Sequence, residues 1–169
     1  MPNAASAAKS QDLEGWAEVR AHDRVVRYRR SGTGTGPVVL LLQPGSRVAS
    51  LWPELLEMIA DGTRLIVPEP PANETDLEAW LSALLEGLGT RNITIIATDG
   101  FCIAALERAL ISPEQFARVV IVCSGRGSES AVDGRLATPV HAAGIPLLVL
   151  RRDRLVSEIL PIVEEFLRR

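Results

Sequence analysis

Residues 91–106, Arg-Asn-Ile-Thr-Ile-Ile-Ala-Thr-Asp-Gly-Phe-Cys-Ile-Ala-Ala-Leu, constrain the fold more than any other stretch of the chain. Ile93 to Ala97 is a short, apolar, β-branched run of the kind found in fully buried strands. From Gly100 the apolar spacing becomes helical, so the link between the two elements is a very tight turn. Asp99 sits at that turn. A side chain on such a turn stands at the C-terminal edge of a parallel sheet, beside the positive end of the next helix, where α/β folds place ligand chemistry.

The flanking chain supports a sheet of this kind. Trp16 to Arg20 and Arg24 to Tyr28 alternate and are joined by Ala21-His22-Asp23, which reads as an antiparallel hairpin at a sheet edge. Val38 to Leu42 is a continuous aliphatic run, the pattern of a strand covered on both faces. Leu51, Leu55, Leu56 and Ile59 recur at helical spacing between about Ala49 and Ala60. Arg64 to Val67 reads as a strand closed by Pro68-Glu69-Pro70-Pro71, whose prolines exclude helix and central sheet. From Asn73-Glu74 to Gly87, residues Leu77, Trp80, Leu81, Leu84 and Leu85 share one helical face. The helix after Asp99 runs to about Leu110. Val119 to Cys123 and Ile145 to Leu150 read as further strands, with a helical turn or two at Ala137 to Ala143 between them and an amphipathic helix from Val156 to Leu167 after them. Strands alternating with helices after an opening hairpin give an α/β class with a mostly parallel sheet.

At 169 residues, a single domain would bury roughly 70% of its unfolded surface, so the core needs no disulfide or metal staple. The expected division is a flexible tail over residues 1–12 and one domain over 13–169. The net charge of -3 with interspersed signs offers no basic stripe for nucleic acid. No apolar run approaches the ~20 residues of a membrane span, and the first twelve residues lack the apolar core of a signal peptide. Cys102 and Cys123 lie in apolar segments and read as buried, reduced thiols. A cytoplasmic protein with a small-molecule partner, and without nucleic acid or membrane partners, is the expectation. The closely spaced glycines of Ser31 to Pro37 precede a strand instead of joining a strand to a helix, so they do not read as a dinucleotide-binding loop.

Taken together, the order and spacing of these pieces resemble the α/β-hydrolase family. The matching segments are the hairpin, Val38 to Leu42 with Gln43-Pro44-Gly45-Ser46 and Trp52, Arg64 to Pro70, the strand–turn–helix around Asp99, Arg118 to Gly125, and Ile145 to Asp153. The resemblance implies an α/β-hydrolase-like, mostly parallel sheet with an N-terminal antiparallel hairpin, a reduced lid, and no last strand or catalytic histidine. Ala97-Thr98-Asp99-Gly100-Phe101 stands where the family carries its G-x-S-x-G nucleophile elbow. Aspartate replaces serine, both framing glycines are missing, and Phe101 is expected to distort the elbow. Relatives with aspartate there, the haloalkane dehalogenases and epoxide hydrolases, use it as a nucleophile to form an alkyl-enzyme ester.

The same resemblance supplies the remaining candidates. Gln43, Gly45 and Gly100 fall at the oxyanion loop and elbow, where Pro44 has no N–H to give. Glu69 and Ser124 close strands at the same edge. Asp153 lies near the family's acid position, with a surface aspartate flanked by arginines as the alternative. Of the two histidines, His22 belongs to the hairpin tip. His141 precedes the strand Ile145 to Leu150, which places it at the opposite sheet edge from Asp99 unless residues 126–144 fold back over the elbow. The carboxylates come from separate strands with no local ligand spacing, so neither a metal nor another cofactor is called for. The readings left open are an atypical hydrolase acting on a small ester, lactone or similar molecule, a non-catalytic binding or assembly module, and one half of a site completed by a partner chain. Asp99 itself reads either as a reacting group or as a cap on the following helix. An apolar final strand at a sheet edge, or the C-terminal helix, would be covered in a homodimer.

Overall fold

The computed structural model describes residues 15–31, 35–43, 63–123, 132–151 and 156–169. The tail over 1–12, the helix expected near 49–60, and Gly45, Ser124 and Asp153 lie outside the described residues.

Seven strands form one sheet: β1 (Ala17–Ala21), β2 (Arg24–Ser31), β3 (Val38–Leu42), β4 (Arg64–Pro68), β5 (Ile93–Thr98), β6 (Phe116–Cys123) and β7 (Leu147–Arg151). Their spatial order is β1-β2-β4-β3-β5-β6-β7. β2 runs antiparallel to both β1 and β4, and every other pairing is parallel. The hairpin closes through two residues, His22 and Asp23, with φ of 50° and 59°. Two left-handed residues match the twist of the strands they join, so Ala21 belongs to β1 and the turn is one residue shorter than expected. β6 starts three residues earlier than its aliphatic run because Phe116 enters the core. β7 starts two residues later than expected, since the Pro146 carbonyl accepts the Val119 N–H before the ladder begins.

Among the described residues the α-helices are α1 (Leu77–Leu88), α2 (Phe101–Ile111), α3 (Ala137–Ala142) and α4 (Val156–Arg168). A π-helical turn, Val132–Leu136, leads into α3. Side chains alternate across a strand, and on β3 this divides the residues between two cores. Leu40 and Leu42 join the core under α1, α2 and α3, while Val39 and Leu41 join the core under α4. β3 and β5 are buried along their whole length, as parallel strands covered on both faces must be. α1 stops at Gly89, whose φ of 58° lets its N–H reach the Leu85 and Glu86 carbonyls. Among the described residues, no helix is long and apolar enough to cross a membrane.

Candidate functional site

The turn between β5 and α2 holds Asp99 at φ 51°. Non-glycine residues are uncommon there, although aspartate tolerates it better than most. The conformation is held from both sides. The Asp99 N–H donates to the Val122 carbonyl on β6 at 3.3 Å, and its C=O accepts the Cys102 N–H at 3.1 Å. One residue earlier, the buried Thr98 hydroxyl donates to the Leu42 carbonyl at 3.4 Å, tying the C-terminal ends of β5 and β3. The Asp99 side chain is half-buried, while Gly100, which caps α2, is exposed. Asp99 directly precedes Gly100, at the N-terminus of α2.

Phe101 turns into the core, 1% exposed, and packs against Trp80 of α1 with ring centroids 5.5 Å apart. The left-handed turn thus forms with a large residue at its second following position because α1 supplies a receiving surface. The Cys102 Sγ lies 3.7 Å from the Ala97 and Val122 carbonyls, and the Cys123 Sγ lies 3.7 Å from it. Both cysteines are buried and free. Burial first, then the adjoining Cys123 thiol and the Asp99 carboxylate, push the Cys102 thiol far above its ordinary range. It stays protonated, packed beneath the turn.

Gln43 follows β3 directly and is half-buried. Leu42 pairs with Ala97, so Gln43 ends the strand next to the one carrying Asp99, at the same edge. Glu69 follows β4, two strands from β5 and about 10 Å away by strand spacing. Its N–H donates to the Arg27 carbonyl at 2.8 Å, and its carboxylate lies 3.7 Å from the Arg27 guanidinium. Its described contacts therefore face the hairpin. His141 is exposed at the end of α3, six residues before β7 begins. In a parallel sheet that is the edge opposite Asp99, roughly 17 Å away along β5. The stretch 132–144 does not carry it back, because Val132 and Val140 are fully buried in the core shared with α2. His22 forms an ion pair with Glu86 of α1 at the hairpin tip.

Thr98, Trp80 and the cysteine contact were not visible as parts of the site from sequence. Each lies inside an ordinary apolar or β-branched run, and only the tertiary fold shows its partner: Leu42 for Thr98, Phe101 for Trp80 and Cys123 for Cys102.

No protein-family profile matches the chain. Solved structures do. A protein from Thermoplasma acidophilum described as a predicted CIB-like hydrolase superposes with a TM-score of 0.62 at 13% identity, over 92% of this chain and 98% of that one. An epoxide hydrolase from Vigna radiata gives 0.54 at 20% identity, over 67% of this chain and 41% of its own. A haloalkane dehalogenase from Agrobacterium tumefaciens gives 0.51 at 21% identity, over 66% and 41%. The chain spans about two fifths of the length of the epoxide hydrolase and dehalogenase structures it matches. At these identities the likeness speaks for architecture, and with the strand order it makes this chain an α/β-hydrolase-like protein by fold.

Proposed function

We propose that the protein acts on a small organic molecule, an ester, lactone or similar electrophile, at the C-terminal sheet edge, with Asp99 as the reacting group. The observation that carries this reading is the left-handed backbone of Asp99, φ 51°, on a strand-to-helix turn. Strain at a non-glycine residue is kept where the surrounding structure over-determines it, and such residues cluster at active sites. The turn also presents the Gly100 N–H, which has no hydrogen-bond partner among the described residues, where an oxyanion could form. A carboxylate in this place can take a proton from water as it adds to a carbonyl, the Gly100 N–H holding the developing oxyanion. It can also attack a saturated carbon directly, forming an ester as the bond to that carbon's leaving group breaks and the group departs with the electron pair, after which water cleaves the ester. That the matched structures include proteins named as an epoxide hydrolase and a haloalkane dehalogenase agrees with the second course.

The test is turnover of a short-chain activated ester and an activated lactone by the purified protein. Asp99→Ala and a variant lacking both histidines are assayed beside it. The expected result is turnover lost with Asp99→Ala, by at least about a hundredfold for a residue that acts in the transition state, and kept without the histidines. Turnover that is absent, or unchanged by Asp99→Ala, removes the reading. An assembly role is the second reading, favoured by β7. It ends the sheet, and its Leu147, Leu148 and Val149 are only half-buried. A second copy paired along this edge would cover them, and a monomer at micromolar concentration in sedimentation would count against it.

A further inference from the structure

The hairpin of β1 and β2 projects past β4. The two-residue turn makes Ala21 and Arg24 a mutually hydrogen-bonded pair. Antiparallel strands alternate such pairs with open ones, so Val25 and Arg27 direct their N–H and C=O groups away from β1. Arg27 meets a partner there, since its C=O accepts the Glu69 N–H. Val25 does not. The chain facing it is Pro70-Pro71, which has no N–H to offer, and among the described residues no backbone bond reaches Val25 from that side.

Between β2 and this proline segment lies a cleft of about 620 Å³, lined by Arg24 to Arg27, Glu69 to Ala72, and Trp80. That volume lies within the usual range for small-molecule sites. Ion pairs bound it at two places: Arg27 with Glu69 at 3.7 Å and Arg24 with Asp76 at 2.7 Å. Each cation has its carboxylate, so the cleft carries no net charge to attract an ion. Between the pairs the open walls are apolar, made by Val25, Pro70, Pro71 and Ala72 with Trp80, 5% exposed, at the floor, and Val25 adds one open donor and one open acceptor.

We infer that this cleft binds an uncharged N-acyl amino-acid unit, a single extended peptide-like residue with an apolar side chain. The N–H and C=O of one extended residue point to the same side, so such a unit offers the acceptor and donor that Val25 needs, in the pattern by which a strand adds to a sheet edge. Its side chain would stand on the same face as the exposed Val25 side chain, beside the prolines. This site is separate from the Asp99 edge, although Trp80 contacts Phe101 behind it.

The test uses N-acetyl-L-leucine N-methylamide and its 2-acetoxy analogue, in which oxygen replaces the N–H that reaches the Val25 carbonyl. Binding is followed by amide chemical shifts and tryptophan fluorescence on the full chain. The amide is expected to shift the Val25, Val26 and Trp80 signals. The acetoxy analogue should bind roughly five- to tenfold more weakly, the effect of losing one hydrogen bond and stranding its acceptor. Val25→Pro deletes a donor that takes part in no ladder bond, and edge strands accept proline at such positions. It should weaken the amide by a similar factor, while Val25→Thr stays within about twofold of the parent, since it keeps the backbone donor and acceptor. A longer extended apolar peptide that binds more tightly assigns the natural source to a polypeptide, and equal binding assigns it to a free acylated amino-acid amide, which is likewise uncharged. No shifts at millimolar amide, or equal binding of amide and acetoxy compound by the wild-type chain, would overturn the inference without appeal to any variant.

Discussion

Gly87 lies in the last turn of α1, and substitution to alanine there has opposite expected signs from sequence and from structure. Helix propensity alone favours alanine over glycine by about 0.5–1 kcal/mol. The tertiary structure reverses this. A Cβ on Gly87 would sit 2.7 Å from the Val19 Cβ and 3.0 Å from its Cγ2 on β1. The nearer atom is fixed to the backbone, so rotamer change cannot relieve the contact and the hairpin must move. Overpacking of this kind costs about 1–3 kcal/mol. Set against the propensity gain, Gly87→Ala should destabilise by up to about 2.5 kcal/mol, which at this chain length lowers Tm by up to roughly 10 °C. Thermal unfolding by far-ultraviolet circular dichroism measures it. A double-mutant cycle supplies the stricter check. In a Val19→Gly background the obstructing atom is gone, and Gly87→Ala should become stabilising, whereas Val19→Ala keeps the Cβ and should rescue only in part. An increase in Tm for Gly87→Ala alone, or the same effect in all three backgrounds, would refute the argument that the Gly87 backbone packs directly against the Val19 side chain.

The buried polar groups give two further expected outcomes. The folded state holds the Cys102 thiol protonated, chiefly by burial, while the unfolded thiol ionises near pH 8.5; the native chain therefore binds the extra proton above that pH, and stability should fall with rising pH by up to about 1.4 kcal/mol per unit. Urea unfolding between pH 7.5 and 10 should show this slope in the parent and a flatter one in Cys102→Ala. Arg108 links α2 to α1, with its guanidinium 3.6 Å from Glu78 and 3.5 Å from the Gln115 amide oxygen, and its buried Nε has no hydrogen-bond partner among the described residues. Glu78→Ala should cost about 1 kcal/mol, discounted because Glu78 is partly solvated, whereas Arg108→Met should be neutral or stabilising because it also removes the buried cation. Both are read from thermal melts.

The local chemistry of the chain determined the α/β class and the position of its central turn. The aliphatic run Val38–Leu42 and the β-branched run Ile93–Ala97 are the pattern of strands covered on both faces, and the change of period after Gly100 places Asp99 at the junction. Those are properties of a few neighbouring residues. The tertiary structure decided the rest. β4 comes to lie between β2 and β3, so residues distant in sequence become neighbours: Thr98 meets Leu42, Cys102 meets Cys123, and Phe101 meets Trp80. The left-handed backbone of Asp99 depends on the Val122 carbonyl from the adjoining strand, and the cleft at Val25 exists because prolines happen to face it across the sheet edge. Periodicity records which side of an element is apolar but carries no information on which other element will cover it, and that pairing is set by the packing of the whole sheet.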